Sequence, residues 1–294
     1  MKKPGILVRM AATLVQVGLV LGAYLLWARP YQMRWGATDE EVRRPMPGDE
    51  LDSHPHFLAT RAITINGTPA AIWPWLLQMG YGRAGFYGYD ILENLGSPRG
   101  LHSADRVLPE FQHFRVGDKL PLSALGGLVF HDIEPGRYLV WNGEDGVGAF
   151  VWALYPVDAN HTRLVSRIRW SHHWTQPLPL ALDLFTEFTD HLAVRKVLQG
   201  VKDRVEGRVE PMTRANTEFA VYVVAALTFG AAVLLTLLRP FTRRRWLASL
   251  GAGATWLLTW YAPVPVGLGV LLTILALAGV CLAFRNRPDP ALSP

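Results

Sequence analysis

The feature that most constrains this chain is the placement of its apolar runs, one before and three after a long stretch of mixed polarity. Ile6 to Trp27 reads ILVRMAATLVQVGLVLGAYLLW, which at about 1.5 Å per residue is long enough to cross a hydrocarbon core of about 30 Å. Arg9 sits close enough to its end to snorkel. The stretch is too long for a signal peptide and no small-x-small cleavage site follows it, so it reads as a retained anchor. Phe219 to Leu238 is a second uninterrupted run, ending in Arg239, Pro240 and Arg243 to Arg245. Trp246 to Tyr261 and Val266 to Phe284 follow, separated by Ala262-Pro263-Val264-Pro265, which cannot continue a helix and reads as a tight turn. About four membrane helices are expected, the one from Trp246 being the shortest.

Charge sets the expected orientation. Lys2, Lys3 and Arg9, the Arg239 to Arg245 loop, and Arg285 with Arg287 should all face the cytoplasm. The N-terminus is then cytoplasmic and the soluble part extracytoplasmic, although Lys202, Arg204, Arg208 and Arg214 pull mildly the other way. Because much of the formal +5 charge flanks apolar runs, nucleic acid is not an expected partner. The single cysteine, Cys281, lies in an apolar run and can build neither a disulfide nor a cysteine metal site within one chain.

The expected organisation is an anchor at 1–28, a linker at 29–56, a folded domain at 57–210, a membrane helix at 218–238, a membrane hairpin at 246–284 and a tail at 285–294. The 29–56 segment has no apolar period and reads as an exposed acidic linker. Its Asp49, Glu50, Asp52, His54 and His56 lack defined ligand spacing, so no metal site is assigned. In the domain, Phe57 to Ile65 alternates as a strand. Pro69 opens a short helix that ends near Gly80, and Phe86 to Leu95 can form a second. Gly80, Gly82 and Gly85 spell a dinucleotide fingerprint, but a helix precedes them where that fingerprint needs a strand, so they read as a helix stop and tight turn.

Five further strands are expected at Asp118–Leu122, Leu128–Ile133, Arg137–Asn142, Val147–Val157 and Thr162–Trp170, joined by short Gly- and Pro-rich turns as in an antiparallel meander. Leu164, Ile168 and Trp170 share one face of the last strand; Arg163, Arg167 and Arg169 share the other, which should be solvated. Val147–Val157 is apolar on both faces, so its second face should meet a helix, a partner or lipid. From Pro179 to about Arg208 one long helix carries a stripe of Ala181, Leu184, Phe185, Phe188, Leu192, Leu198, Val201 and Val205. Its Asp183, Glu187, Asp190 and His191 form an acidic strip expected to be solvated or paired with the arginine stripe.

This order of elements, together with the strings ATRAITINGTPAAIWPWLLQMGYGRAGFYGYDILENL, HSADRVLPEFQ, VGDKLPL and EPGRYLVW, resembles a bacterial subgroup of the SRPBCC superfamily from about Phe57 to Arg208. The resemblance implies an α+β, START-like helix-grip fold: an antiparallel sheet wrapped on a long C-terminal helix around a cavity for a hydrophobic or lipid-like molecule. It implies no particular reaction.

Candidate ligand-binding residues are Tyr81, Phe86, Tyr87, Tyr89 and Glu93 near the expected cavity mouth, and Trp141, Trp152 and Trp170 on successive strands, which could stack on a flat ligand or fill the core. His102, with Asp90 or Asp105 as orienting carboxylate, is a weak catalytic candidate. The structural alternative has Asp105 capping a helix or pairing with Arg83 or Arg106. His102, Ser103 and Asp105 do not make a hydrolase triad, since no G-x-S-x-G elbow exists. His172-His173 reads as exposed. No cofactor is expected. Three functions compete: a membrane-anchored sensor or carrier of an apolar molecule, a cyclase- or dehydratase-like enzyme, and a cell-envelope interaction protein.

Overall fold

A computed structural model describes residues 5–94, 102–123, 126–171, 178–262 and 264–285. The chain divides into two compact units, a helical one (Met1–Pro30 with Thr217–Pro294) and a mixed one (Tyr31–Asn216).

In the helical unit, α1 (Ile6–Ala23) runs through a π-helical turn at Tyr24–Ala28 into α2 (Arg29–Met33). The unit is completed by α7 (Met212–Leu238), α8 (Arg243–Tyr261) and α9 (Val266–Phe284). Three helical segments are long and apolar enough to cross a membrane: Ile6–Met33, Thr213–Leu238 and Val266–Phe284. The expected fourth is not. At 19 residues α8 is about 28 Å long, but it begins with three arginines and is rich in Gly, Ala, Ser and Thr. It lies instead among the other helices, burying Ser249, Ala252 and Gly253. Gln16 of α1 donates to Ser249 Oγ at 2.5 Å, and the Trp246 indole donates to the Ala12 carbonyl at 3.1 Å.

The mixed unit is built on one six-stranded antiparallel sheet, ordered β1-β6-β5-β4-β3-β2. Its strands are β1 (Phe57–Asn66), β2 (Lys119–Ser123), β3 (Gly126–Glu134), β4 (Tyr138–Gly143), β5 (Ala149–Pro156) and β6 (His161–Trp170). Between β1 and β2 lies α4 (Pro69–Leu77), which Thr68 caps by accepting from the Ala71 amide. The expected second helix shrinks to the single turn α5 (Asp90–Glu93). Its N-terminal part fails because Tyr87 takes φ 63° and Gly85 φ 71°, left-handed values that interrupt a right-handed helix. Gly80 and Gly85 close a tight loop through a backbone bridge, which is the turn their spacing suggests.

The register places Phe57 opposite Trp170, Ile168 opposite Phe150, Ser166 opposite Trp152, and Trp141 opposite Phe150. Directly opposed residues share a face, so all three tryptophans stand on the same, inner side. The long helix α6 (Pro179–Val205) packs against this sheet. Val194, Val197, Leu198 and Val201 of α6 and Ile72, Trp75 and Leu76 of α4 join Leu139, Trp141, Trp152 and Leu164 in one core. The α6 stripe holds for Leu192, Leu198 and Val201, but Phe185 is exposed.

The outer face of the sheet is covered too. Residues 31–56, which read as a linker, form a strap containing α3 (Asp39–Arg43). Met46 of the strap lies in a second buried cluster with Ala62, Val140, Ala149, Val151, Ala153 and Val165, and Ala37 and Leu51 pack against it. This strap is what the second apolar face of β5 meets. The arginine face of β6 is therefore not solvated. Arg167 is 3% exposed and donates to the carbonyls of Glu41, Val42 and Arg44, to Thr60 Oγ1 and to Asp49. Arg163 pairs with Glu41 at 2.8 Å, and Arg169 donates to the carbonyls of Asp52 and Ser53. Asp49, which read as part of an exposed acidic linker, is held by Arg167 and the Met46 amide. Burial pushes the Glu41 carboxyl up, but Arg163 and the Thr38 hydrogen bonds outweigh it and hold it below the usual carboxylate range.

Candidate functional site

Toward the N-terminal half of α6 the side-chain core stops and a cavity opens. It is about 600 Å³ and is lined on the sheet side by Phe57, Leu128, Phe150, Ile168 and Trp170, with Thr186 and Asp190 contributed by α6. Trp170 is held by backbone close to its ring. A Cβ at Gly148, where φ is 77°, would fall 2.4 Å from it. Phe150 is backed by tryptophan: it stacks on Trp152 with ring centroids 5.3 Å apart and meets Trp141 edge-on at 5.6 Å.

At the Asp190 end the cavity adjoins a buried polar cluster. Asp190 accepts from Arg61 of β1 at 2.6 Å, and Arg61, 1% exposed, also donates to the Gln32 carbonyl at 2.7 Å. Glu187, His191 and Arg195 of α6 are buried as well. The expected solvated acidic strip is thus largely internal, because Arg61 points inward from a strand otherwise apolar on that face. Burial, with Arg61 and Arg195 nearby, pushes the His191 imidazole well below its usual value, so it is neutral.

A second, smaller cavity of about 160 Å³ is lined by Tyr87, Asp90, His102, Lys196, Asp203 and Glu210 among others. Here Ser103 donates its hydroxyl to Asp90 Oδ1 at 2.6 Å and its amide to Oδ2 at 3.1 Å. The Ser103 oxygen in turn accepts from the Tyr87 amide at 3.0 Å. His102 is 54% exposed and its Nδ1 is 3.6 Å from Asp90, outside hydrogen-bond range. Asp90 therefore holds Ser103, and its serine contact runs directly rather than through the histidine. Asp203 has its pKa raised by burial and by Glu210.

The sequence candidates scatter over these features. Trp170 lines the larger cavity, while Tyr87, Asp90 and His102 line the smaller one. Trp141 and Trp152 are core residues, Phe86 packs against that core, and Tyr89 is buried. The Tyr87 hydroxyl donates to the Trp75 carbonyl at 2.9 Å. Tyr81 hydrogen-bonds through its backbone to Pro121, Glu93 ends α5, and Asp105 is exposed. Arg83 does not need Asp105: its guanidinium lies 4.4 and 4.1 Å from the ring centroids of Phe111 and Phe114 and donates to two carbonyls. His172 and His173 lie outside the described residues. Sequence reasoning missed Phe57, Leu128, Phe150 and Ile168 as cavity residues, since an inward apolar side chain looks the same whether it fills a core or floors a cavity.

No family model and no curated protein matches this chain. Among solved structures it is similar to a Polyketide_cyc-like protein from Corynebacterium glutamicum, with 12% identity over 52% of this chain and 93% of that one and a TM-score of 0.30. It is also similar to CalC, a self-sacrificing resistance protein from Micromonospora echinospora, with 12% identity, coverage of 51% and 94%, and a TM-score of 0.30. A third is a conserved protein of unknown function from Enterococcus faecalis, with 15% identity, coverage of 55% and 82%, and a TM-score of 0.28.

Proposed function

We propose that the mixed unit is a helix-grip binding domain for an apolar or amphipathic small molecule, tethered to a membrane and acting as a sensor or carrier. The observation that carries this reading is the cavity of about 600 Å³ beside α6, walled by Phe57, Leu128, Phe150, Ile168 and Trp170. Its size falls in the range of small-molecule sites, and a floor of aromatic and aliphatic groups with a few polar groups, here Glu144, Asp145, Thr186 and Asp190, is their usual chemistry. Burying such a ligand is favoured by roughly 25 cal/mol per Å² of apolar surface removed from water. The tether follows from candidate membrane spans on both sides of the domain, at Ile6–Met33 and Thr213–Leu238. The extracytoplasmic placement needs only two basic clusters, Lys2 with Lys3 and Arg239 with Arg243 to Arg245, on the same side of the bilayer. It does not depend on whether α8 crosses. No reaction is part of this reading.

The test is native mass spectrometry of the full-length protein released from detergent, with Ile168→Trp and Leu128→Trp as cavity-filling variants. A co-purifying apolar molecule whose occupancy drops about tenfold or more in both variants supports the function. A wild-type protein that carries nothing and takes up no apolar molecule refutes it.

A further inference from the structure

Trp141 and Trp152 are 1% and 2% exposed, and among the described residues neither indole Nε1–H finds an acceptor. Buried donors are almost always paired, because a donor withdrawn from water and given no partner loses its hydration without return. Two such donors stand on adjacent strands, with ring centroids 5.8 Å apart, in the core of the mixed unit. Both indoles touch Phe150, stacked on one and edge-on to the other, and Phe150 is itself a wall of the larger cavity. Phenylalanine at either position would carry no donor to satisfy, at the cost of three ring atoms of packing.

We infer that Trp141 and Trp152 form an oxygen-acceptor subsite behind Phe150, and that the ligand is an apolar molecule bearing a carbonyl or ether oxygen that accepts from these indoles. The inference rests on the cavity function proposed above and adds to it a ligand class and a direction of entry. Phe150 turns aside as the oxygen passes, exchanging its contact with the indoles for contact with the ligand's apolar body. A hydrocarbon of the same shape fills the cavity but leaves both donors unmet, so it binds more weakly.

The experiment compares menthone with menthane, its hydrocarbon counterpart, on the full-length protein held in amphipol. The double variant Trp141→Phe/Trp152→Phe and the blocking variant Ile168→Trp serve as comparisons. Affinity is read by displacement of a fluorescent apolar probe, and the indole N–H resonances are followed by NMR. The expected result is that menthone binds about tenfold more tightly than menthane, shifts two indole N–H signals downfield, and loses its advantage in the double variant. Equal binding of both compounds, blocked by Ile168→Trp, would overturn the subsite and leave the cavity function standing. Indole signals already hydrogen-bonded to water before any ligand is added, and unmoved by menthone, would also overturn the subsite. Failure of both compounds to bind would overturn subsite and function together.

Discussion

Replacing Arg167 by methionine keeps a long apolar stem on the outer face of the sheet but deletes the guanidinium that holds the strap. Five hydrogen bonds go with it: to Thr60 Oγ1 at 3.0 Å, to the Glu41, Val42 and Arg44 carbonyls at 2.7, 3.0 and 2.8 Å, and to Asp49 Oδ2 at 2.8 Å. The acceptors do not leave with the arginine. Asp49 keeps only the more distant Arg169, at 3.7 Å, and the carbonyls around a 3% exposed position must find water where there is little room for it. Removing one partner of such a buried pair costs about 3–5 kcal/mol, against at most about 1 kcal/mol for an exposed pair. For a unit of this size each kcal/mol moves the melting temperature by about 2–4 °C, so Arg167→Met should lower it by about 6–20 °C. The assay is near-UV circular dichroism melting of the full-length protein, with Arg137→Met as a control. Arg137 pairs with Glu134 three residues before it, on the surface, and its loss should leave the melting temperature unchanged. If Arg167→Met shifted melting by less than about 2 °C, the strap would be a loosely held linker and the reasoning would fail.

Two pH effects follow from the same structure. The Glu41 carboxyl titrates below its ordinary 4.5 in the folded state, so its contribution is complete above that value and is lost as pH falls through the lower folded value. Hydrogen–deuterium exchange over residues 31–56 should rise sharply below that point, and Glu41→Gln should show the same rise at neutral pH. Unchanged exchange in the variant would mean that Glu41 does not hold the strap. His191 works at milder pH: it stays neutral when folded, whereas the unfolded chain takes up a proton below 6.5, so stability falls as pH drops from 6.5. The slope is at most about 1.4 kcal/mol per pH unit for one such proton. In His191→Gln that part of the slope should vanish, and a variant melting with the wild-type pH dependence would exclude His191 as its source.

All six strands stand near where alternation and turn residues suggest, because both signals are local: a strand announces its period within a few residues, and Pro-Gly or Asp-Ala-Asn-His announces its end, although Gly126-Gly127, which read as a turn, opens β3. The long helix was legible for the same reason. What was not legible is whatever depends on a distant partner. Residues 31–56 carry no apolar period because polar groups hold much of the strap, and their arginine partners lie 116 to 127 positions later in the chain. An Arg at alternate positions of a strand looks solvated until the segment that covers it is known.

The same blindness explains the candidate site. Glu187, Asp190 and His191 read as the wet face of a helix, yet Glu187 and His191 are buried, and Arg61, the one residue of β1 that breaks an apolar inner face, receives Asp190. The aromatic cluster Tyr81 to Tyr89 read as a cavity mouth, and Tyr87 does line the smaller cavity, while the same residue packs tightly on α6. Its backbone lies so close to α6 that a Cβ on Gly200 would sit 2.1 Å from its carbonyl oxygen. The larger cavity falls at the other end of the helix, between Val194, the first core valine of α6, and the exposed Phe185, where the apolar stripe no longer reaches the sheet. A cavity is a mismatch in the lengths of two apolar faces, and each face viewed alone along the sequence is complete. The measurable trace of this one is the pair of indole donors behind it, which a filled core would have had no reason to keep.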